Sequence, residues 1–220
     1  MSSVIDLGGL PAIAEGSPSA GGPGVLLSHG AGGDKSSKGL TALAKGLSDA
    51  GHFVVRFDLP YRVAGRSSPP KAEQSIPGFV GALEAARTQF PGRNWVVGGK
   101  SYGGRVASLG VAQGMEAAGL LFYGYPLHAP GRKANPRTDH WSDIGVPALF
   151  LQGSNDALCD LDILKTHLDE LGSSHLLIVV EGGDHSLKVT AKRAPDGKAT
   201  SEEEVALAIS PQISSWISKL

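Results

Sequence analysis

Gly99-Lys100-Ser101-Tyr102-Gly103 sets a serine between two glycines at G-x-S-x-G spacing, which suits a nucleophile carried on a tight turn between a strand and a helix. The apolar run Trp95-Val96-Val97 precedes it, and the helix-compatible Arg105-Val106-Ala107-Ser108-Leu109 follows it. A serine at the tip of so sharp a turn takes a strained backbone conformation, and side chains two residues to either side would collide. Glycine at 99 and 103 removes that crowding. The turn also sets Ser101 at a helix N-terminus, where N–H groups and the helix dipole favour developing negative charge. Gly99-Lys100-Ser101 could instead end a phosphate-binding loop, but that motif demands a glycine where the chain has Asn94. The chemistry to which the segment points is nucleophilic attack by Ser101.

A serine hydroxyl is a poor nucleophile until a base takes its proton, and the base must itself be oriented by an acid. The apolar run Ala148-Leu149-Phe150-Leu151-Gln152 ends in Gly153-Ser154-Asn155-Asp156, and Leu176-Leu177-Ile178-Val179-Val180 leads to Gly182-Gly183-Asp184-His185-Ser186. Both runs read as strands, so Asp156 and His185 fall beyond strand C-terminal ends, where α/β sheets carry functional residues. The order Ser101, Asp156, His185 is the order in which such a sheet supplies nucleophile, acid and base.

The remaining histidines fit the base role less well. His52 and His175 fall at strand beginnings, the opposite edge of a parallel sheet, and His167 lies inside a helical segment. His128 and His140 flank an irregular loop from which they could touch substrate. Asp184 is too close to His185 in sequence to orient its ring, and Asp160 and Asp162 suit helix capping. Val25-Leu26-Leu27-Ser28 reads as a strand followed by His29-Gly30-Ala31-Gly32-Gly33. Backbone N–H groups of such a turn can hold a developing oxyanion; the expected donors are the amides of Ala31 and Tyr102. A dinucleotide fingerprint starting at Gly30 fails because position 35 is Lys35. Tyr61, Arg62 and Trp141 are further residues that could reach the site, with Tyr61 and His140 the expected substrate contacts. Lys100 either tunes the nucleophile's surroundings or projects to solvent, and Cys159 reads as a packed residue at a helix start.

Those residues must be positioned by elements that alternate along the chain. Strands are expected at 24–28, 53–57, 95–97, 120–123, 148–152 and 176–180, with edge strands at 3–7 and 12–14. Leu40, Leu43, Ala44 and Leu47 mark one face of a helix ended by Gly51; Ile76, Phe79, Val80, Leu83 and Phe90 mark a second, closed by Pro91-Gly92. Further helices are expected after the elbow, over 160–171 and over 202–218, with a polar loop at 58–73. Strands alternating with helices predict an α/β fold, a doubly wound, mostly parallel sheet flanked by helices. Residues 124 to 146 are too short and too rich in Pro, Gly and charge to build a helical cap, so no substantial cap domain is expected and the site should be open.

Composition narrows the function classes. At 220 residues and 41% hydrophobic the chain can bury a full core as a single domain over residues 1–220. A net charge of −1 with scattered basic residues gives no footprint for nucleic acid. No apolar run reaches transmembrane length. The single cysteine and the lack of Lys or Arg before Lys35 fit a cytoplasmic protein without a signal peptide. A general-base triad calls for no cofactor and no metal, and the oligomeric state is not written in these residues.

The segments Leu27 to Gly32, Phe57-Asp58-Leu59-Pro60-Tyr61, Gly98 to Arg105, Leu151 to Asp156 and Gly182 to Leu187 resemble the α/β-hydrolase superfamily. The likeness is to a small lidless group related to dienelactone hydrolases. It implies a serine hydrolase acting on an accessible ester or related acyl substrate, a small molecule. Dienelactone hydrolases use a cysteine where this chain has Ser101, which sets that activity apart. Gly98 to Arg105 and Arg137-Thr138-Asp139-His140 resemble bacterial hydrolases of unknown substrate. These in turn are similar to vertebrate hydrolase-like proteins, one of them a subunit of a chromatin acetyltransferase complex. That likeness supplies a second reading, a non-catalytic interaction module on a hydrolase scaffold. A thioesterase or peptidase would use the same triad and differ only in its leaving group.

Overall fold

Runs of Val, Leu, Ile and Phe between glycine-rich turns become strands, and amphipathic runs between them become helices. A computed structural model describes residues 2–220. In chain order the elements are β1 (Ser2–Asp6), β2 (Pro11–Glu15), β3 (Gly24–Ser28), α1 (Lys38–Asp49), β4 (Val54–Phe57), α2 (Pro60–Val63) and α3 (Ile76–Gln89). They continue with β5 (Trp95–Lys100), α4 (Tyr102–Ala112), β6 (Gly119–Tyr123), β7 (Ala148–Gly153), α5 (Leu161–His167), β8 (His175–Val180) and α6 (Glu202–Ile217).

The eight strands form one sheet in the order β1-β2-β4-β3-β5-β6-β7-β8. β1 and β2 are antiparallel to each other, and β2 is antiparallel to β4. All other pairings are parallel. Every residue of β3, β4, β6 and β7 is buried, because parallel strands are covered on both faces. Successive side chains alternate between those faces. Val25, Leu27, Val96, Leu121 and Leu149 pack with α1 and α6, while Leu26, Val55, Val97, Phe122 and Phe150 pack with α3, α4 and α5. Burial of each such side chain contributes about 1.5–3 kcal/mol, enough to offset the roughly 1–2 kcal/mol of backbone entropy lost per ordered residue. The two apolar layers therefore hold the sheet rigid where the loops above it must be placed.

The doubly wound, mostly parallel sheet is the fold class expected, and no separate cap domain is built. Within residues 124–146 the regular structure is a single 3₁₀ turn, Trp141–Asp143. Other details differ from the sequence expectation. The segment 58–73 contains α2, started by Pro60 at its first position, where a missing N–H costs nothing. The helix expected over 160–171 stops at His167 and tightens into a 3₁₀ turn, Leu168–Glu170. The edge strands extend over Ser2–Asp6 and Pro11–Glu15.

Candidate active site

Parallel pairing brings the C-terminal ends of β3, β5, β6, β7 and β8 to one edge of the sheet, and the loops leaving that edge carry the polar residues singled out above. The turn from β5 into α4 sets Ser101 at φ 50° and ψ −111°, a conformation costly to any residue with a Cβ. It is held by two hydrogen bonds. The Ser101 N–H donates to the Tyr123 carbonyl, and the Ser101 carbonyl accepts from Arg105 N–H, both at 3.0 Å. Glycine is required on both sides because β3 lies against the turn. A Cβ at Gly99 would press into the Ser28 carbonyl oxygen, and one at Gly103 would stand 2.7 Å from the carbonyl oxygens of Ser28 and His29.

His185 reaches Ser101 from the loop after β8. Its Nε2 lies 2.7 Å from Ser101 Oγ and its Nδ1 lies 2.7 Å from Asp156 Oδ2. A carboxylate can only accept, so Nδ1 carries the proton and Nε2 is the acceptor for the serine hydroxyl. The Asp156 side chain is fully buried. Its Oδ1 accepts the Leu158 N–H at 2.7 Å and its Oδ2 also accepts from Gln152 Nε2 at 2.6 Å. Gln152 is itself buried and fixed, with its Oε1 accepting the Tyr125 N–H at 3.0 Å. Sequence reasoning counted Gln152 merely as the end of a strand; an amide closing a buried apolar run, four residues before the acid, was the available signal. Gly124 clears the way for His185, since a Cβ there would stand 2.6 Å from the His185 carbonyl oxygen. Asp184 serves the turn, its Oδ1 accepting from the N–H groups of Ser186 and Lys188.

The turn after β3 runs beside Ser101, with the position of a Gly30 Cβ only 3.5 Å from Ser101 Cβ. Of the two expected oxyanion donors, Ala31 is the next residue on this turn and Tyr102 is the first residue of α4. His29 locks the turn. Its Nδ1–H donates to the Gly30 carbonyl at 2.9 Å and its Nε2 accepts the Leu59 N–H at 3.1 Å. Burial pulls its pKa below the ordinary imidazole value, so the ring is neutral and this one tautomer satisfies both bonds. Lys35 adds a second brace, its Nζ on Asp58 Oδ2 at 2.6 Å.

The two expected substrate contacts both sit in packed surroundings. Tyr61 is buried, edge-on to the rings of His29 and Tyr102 at 5.7 and 5.9 Å. Burial pushes its pKa up to about 12, and the ring packs between His29 and Tyr102. His140 Nε2 lies 2.8 Å from Ser108 Oγ, seven residues and so about 10 Å along α4 from Ser101. Trp141 is fully buried in the core, and His128 holds its own loop, Nδ1 on the Ala129 carbonyl and Nε2 on the Asp160 N–H. Cys159 is buried, and burial followed by the Asp156 charge pushes its thiol pKa up, which keeps it protonated.

His140 gives a measurable pH dependence. Burial first, and then the Arg105 guanidinium, pull its pKa down from 6.5 to about 4. The unfolded chain then binds the proton more tightly, so stability is undiminished above the unfolded pKa and falls as pH drops from there toward the folded value. The full loss is on the order of 3 kcal/mol. Unfolding midpoints compared between about pH 7 and pH 5 should therefore fall more steeply for the wild type than for His140→Gln. Parallel curves would show that the ring is not held neutral.

Among the described residues, no cluster of three or more His, Cys, Asp or Glu side chains could hold a metal ion. Among the described residues, no helix is long and apolar enough to cross a membrane. A sequence model of the alpha/beta hydrolase domain matches residues 22–217. Among solved structures, the chain is similar to dienelactone hydrolase from Anabaena variabilis, with 17% identity, 100% of this chain and 96% of that chain covered, and a TM-score of 0.71. An alpha/beta serine hydrolase without a lid from Xanthomonas campestris is 21% identical over 98% of this chain and 94% of that chain, with a TM-score of 0.70. Est1E from Butyrivibrio proteoclasticus, with ferulic acid bound, is 14% identical over 98% of this chain and 99% of that chain, with a TM-score of 0.71.

Proposed function

We propose that this chain, which belongs to the alpha/beta hydrolase family, is a serine hydrolase cleaving a small, accessible ester or related acyl substrate through an acyl-enzyme. The observation that carries the reading is the unbroken relay Ser101–His185–Asp156, with both hydrogen bonds at 2.7 Å. Ser101 Oγ attacks the acyl carbon as its proton passes to His185 Nε2. The Asp156 carboxylate holds the ring's orientation and stabilises the imidazolium. The amides of Ala31 and Tyr102 donate to the oxyanion, and the helix dipole of α4 adds to that field. The tetrahedral intermediate collapses, its C–O bond breaks, and the departing alkoxide takes the proton from Nε2. Water then gives a proton to Nε2 and attacks the acyl-enzyme; the acid leaves and Oγ recovers its proton.

An open site supports a small substrate. His185 and Ser101 are both partly exposed, and no cap covers them. The dienelactone hydrolase and ferulic acid-binding Est1E that share the fold also accord with a compact ester. We read residues 1–220 as one catalytic domain of a cytoplasmic enzyme.

Intact mass after exposure to a fluorophosphonate tests this. Such probes react with an activated serine, so the wild type should gain one adduct and Ser101→Ala none, after which a panel of esters, thioesters and peptides separates the leaving groups. A folded wild type that takes no adduct would overturn the reading and leave the non-catalytic scaffold in its place.

A further inference from the structure

Lys100 stands immediately before the nucleophile and Ser186 immediately after the base, and the two side chains are joined. Lys100 Nζ donates to Ser186 Oγ at 3.0 Å and to Glu202 Oε1 at 2.6 Å. The Lys100 and Glu202 side chains are largely buried, 16% and 17% exposed, so their attraction is poorly screened by water. Glu202 is the first residue of α6, whose cap Ser201 accepts the Glu204 N–H. The ion pair is therefore anchored in a helix that packs on α1 and the sheet.

Tyr123 completes the group from below. Its hydroxyl donates to the Ser186 carbonyl at 3.3 Å, and Lys100 Nζ lies 5.6 Å from its ring centroid. Burial, and then the Glu202 carboxylate, push the Tyr123 pKa far up, so the hydroxyl keeps the proton it donates. Room for the group comes from α1: a Cβ at Gly39 would stand 2.6 Å from Tyr123 Oη and collide with Glu202 Oε1. The charged neighbours that face the cluster from outside it are Glu203 and Asp184.

We infer that Lys100, Glu202 and Ser186 form a positioning device that holds the ring of His185 in line with Ser101. The inference rests on the serine-hydrolase reading, and its physical ground is the loop on which the base sits. Residues 181–201 contain no helix or strand, only the isolated bridges Gly183↔Val189 and Val189↔Thr200. Asp156 fixes one end of the imidazole, but a single hydrogen bond leaves the ring free to swing about it. Gripping Ser186 at its hydroxyl and its carbonyl, from groups on β5 and β6, removes that freedom. The strand that presents the nucleophile thereby also sets the distance to the base. Lys100 and Ser186 are positioning residues; neither touches the reacting atoms in this relay.

The test compares the wild type with Lys100→Met, Ser186→Ala and Ser186→Thr. Four quantities are read: kcat and KM on p-nitrophenyl acetate, the rate of reaction with a fluorophosphonate, and the far-downfield proton resonance of the Asp156–His185 hydrogen bond. A base displaced by a fraction of an ångström loses on the order of 10- to 100-fold in rate. Lys100→Met should therefore lower kcat and the phosphonylation rate by that factor, with KM within about twofold, because ground-state binding is untouched. Ser186→Ala should fall in the same direction and Ser186→Thr, which keeps the hydroxyl, should recover most of the loss. The downfield resonance should broaden or vanish in Lys100→Met and Ser186→Ala.

Folded variants that react at the wild-type rate and keep the resonance would overturn the inference while leaving the serine hydrolase intact. If Lys100→Met does not fold, the Ser186 pair decides the matter by the same readouts. A wild type that neither turns over nor labels would overturn the catalytic reading. The resonance, present in the wild type and lost in the variants, would still support the positioning contact; an unchanged resonance would overturn it.

Discussion

Ser101→Ala and His185→Ala should each lower kcat on an ester that the wild type cleaves by about 10⁶-fold, and the double variant should lose no more than either alone. The reason is geometric. In the proposed relay Ser101 Oγ becomes nucleophilic only as its proton moves to His185 Nε2, 2.7 Å away, so removing either partner removes the same event. Losses that multiplied in the double variant would show two independent contributions and would sink the relay. A residual rate some 10³–10⁴ above the uncatalysed reaction should persist in all three, because the amides of Ala31 and Tyr102 remain in place. Folding should survive Ser101→Ala, since the turn is held by backbone bonds to Tyr123 and Arg105 rather than by the serine hydroxyl. Steady-state kinetics with enough enzyme to see single turnovers reads all of this.

Asp156→Asn should lower kcat by about 10⁴-fold at neutral pH while changing the shape of the site little. The buried carboxylate accepts at both oxygens: Oδ2 from His185 Nδ1–H and Gln152 Nε2–H, Oδ1 from the Leu158 N–H. An asparagine must place an NH₂ at one of these positions. Placed at Oδ2, it faces the donors of Gln152 and His185. Gln152 cannot turn over to accept it without losing the Tyr125 N–H bond, and His185 is driven into the tautomer with its proton on Nε2, which cannot take the proton of Ser101. Placed at Oδ1, the NH₂ confronts the fixed Leu158 N–H. Each arrangement buries an unmatched donor, at a cost of about 1–3 kcal/mol, so thermal stability should fall together with kcat. A Ser101–His185 pair that still turns over within tenfold of the wild type in Asp156→Asn would show that the acid does not orient the base.

What the sequence made legible and what it did not differ in their physical origin. Ser101, Asp156 and His185 were legible because each follows an apolar run that ends in glycine, and parallel strands bring such ends to a common edge. Gly99 and Gly103 were legible because a steric requirement at a sharp turn leaves only one residue type. Tyr61 and His140 read as substrate contacts because they are polar-tipped residues in loops near the site, and a loop's path over the sheet is not periodic. In the structure Tyr61 is packed against His29 and His140 is held by Ser108 on α4. Residues 60–63 looked like loop because four residues carry no helical period, although Pro60 at the first position marks the start of a turn of helix.

Local sequence by itself determined the strand-and-helix alternation, the strained elbow and the chain order of Ser101, Asp156 and His185. Those follow from side-chain period, backbone sterics and hydrogen-bonding capacity, all of which act over a few residues. Only the tertiary structure decided what surrounds those groups. Gln152 beneath Asp156, His29 locking the turn beside Ser101, and Glu202 reaching Lys100 across 102 positions of chain are contacts between buried polar groups. A buried polar group must find a partner wherever the fold places one, and no spacing in the sequence records where that is.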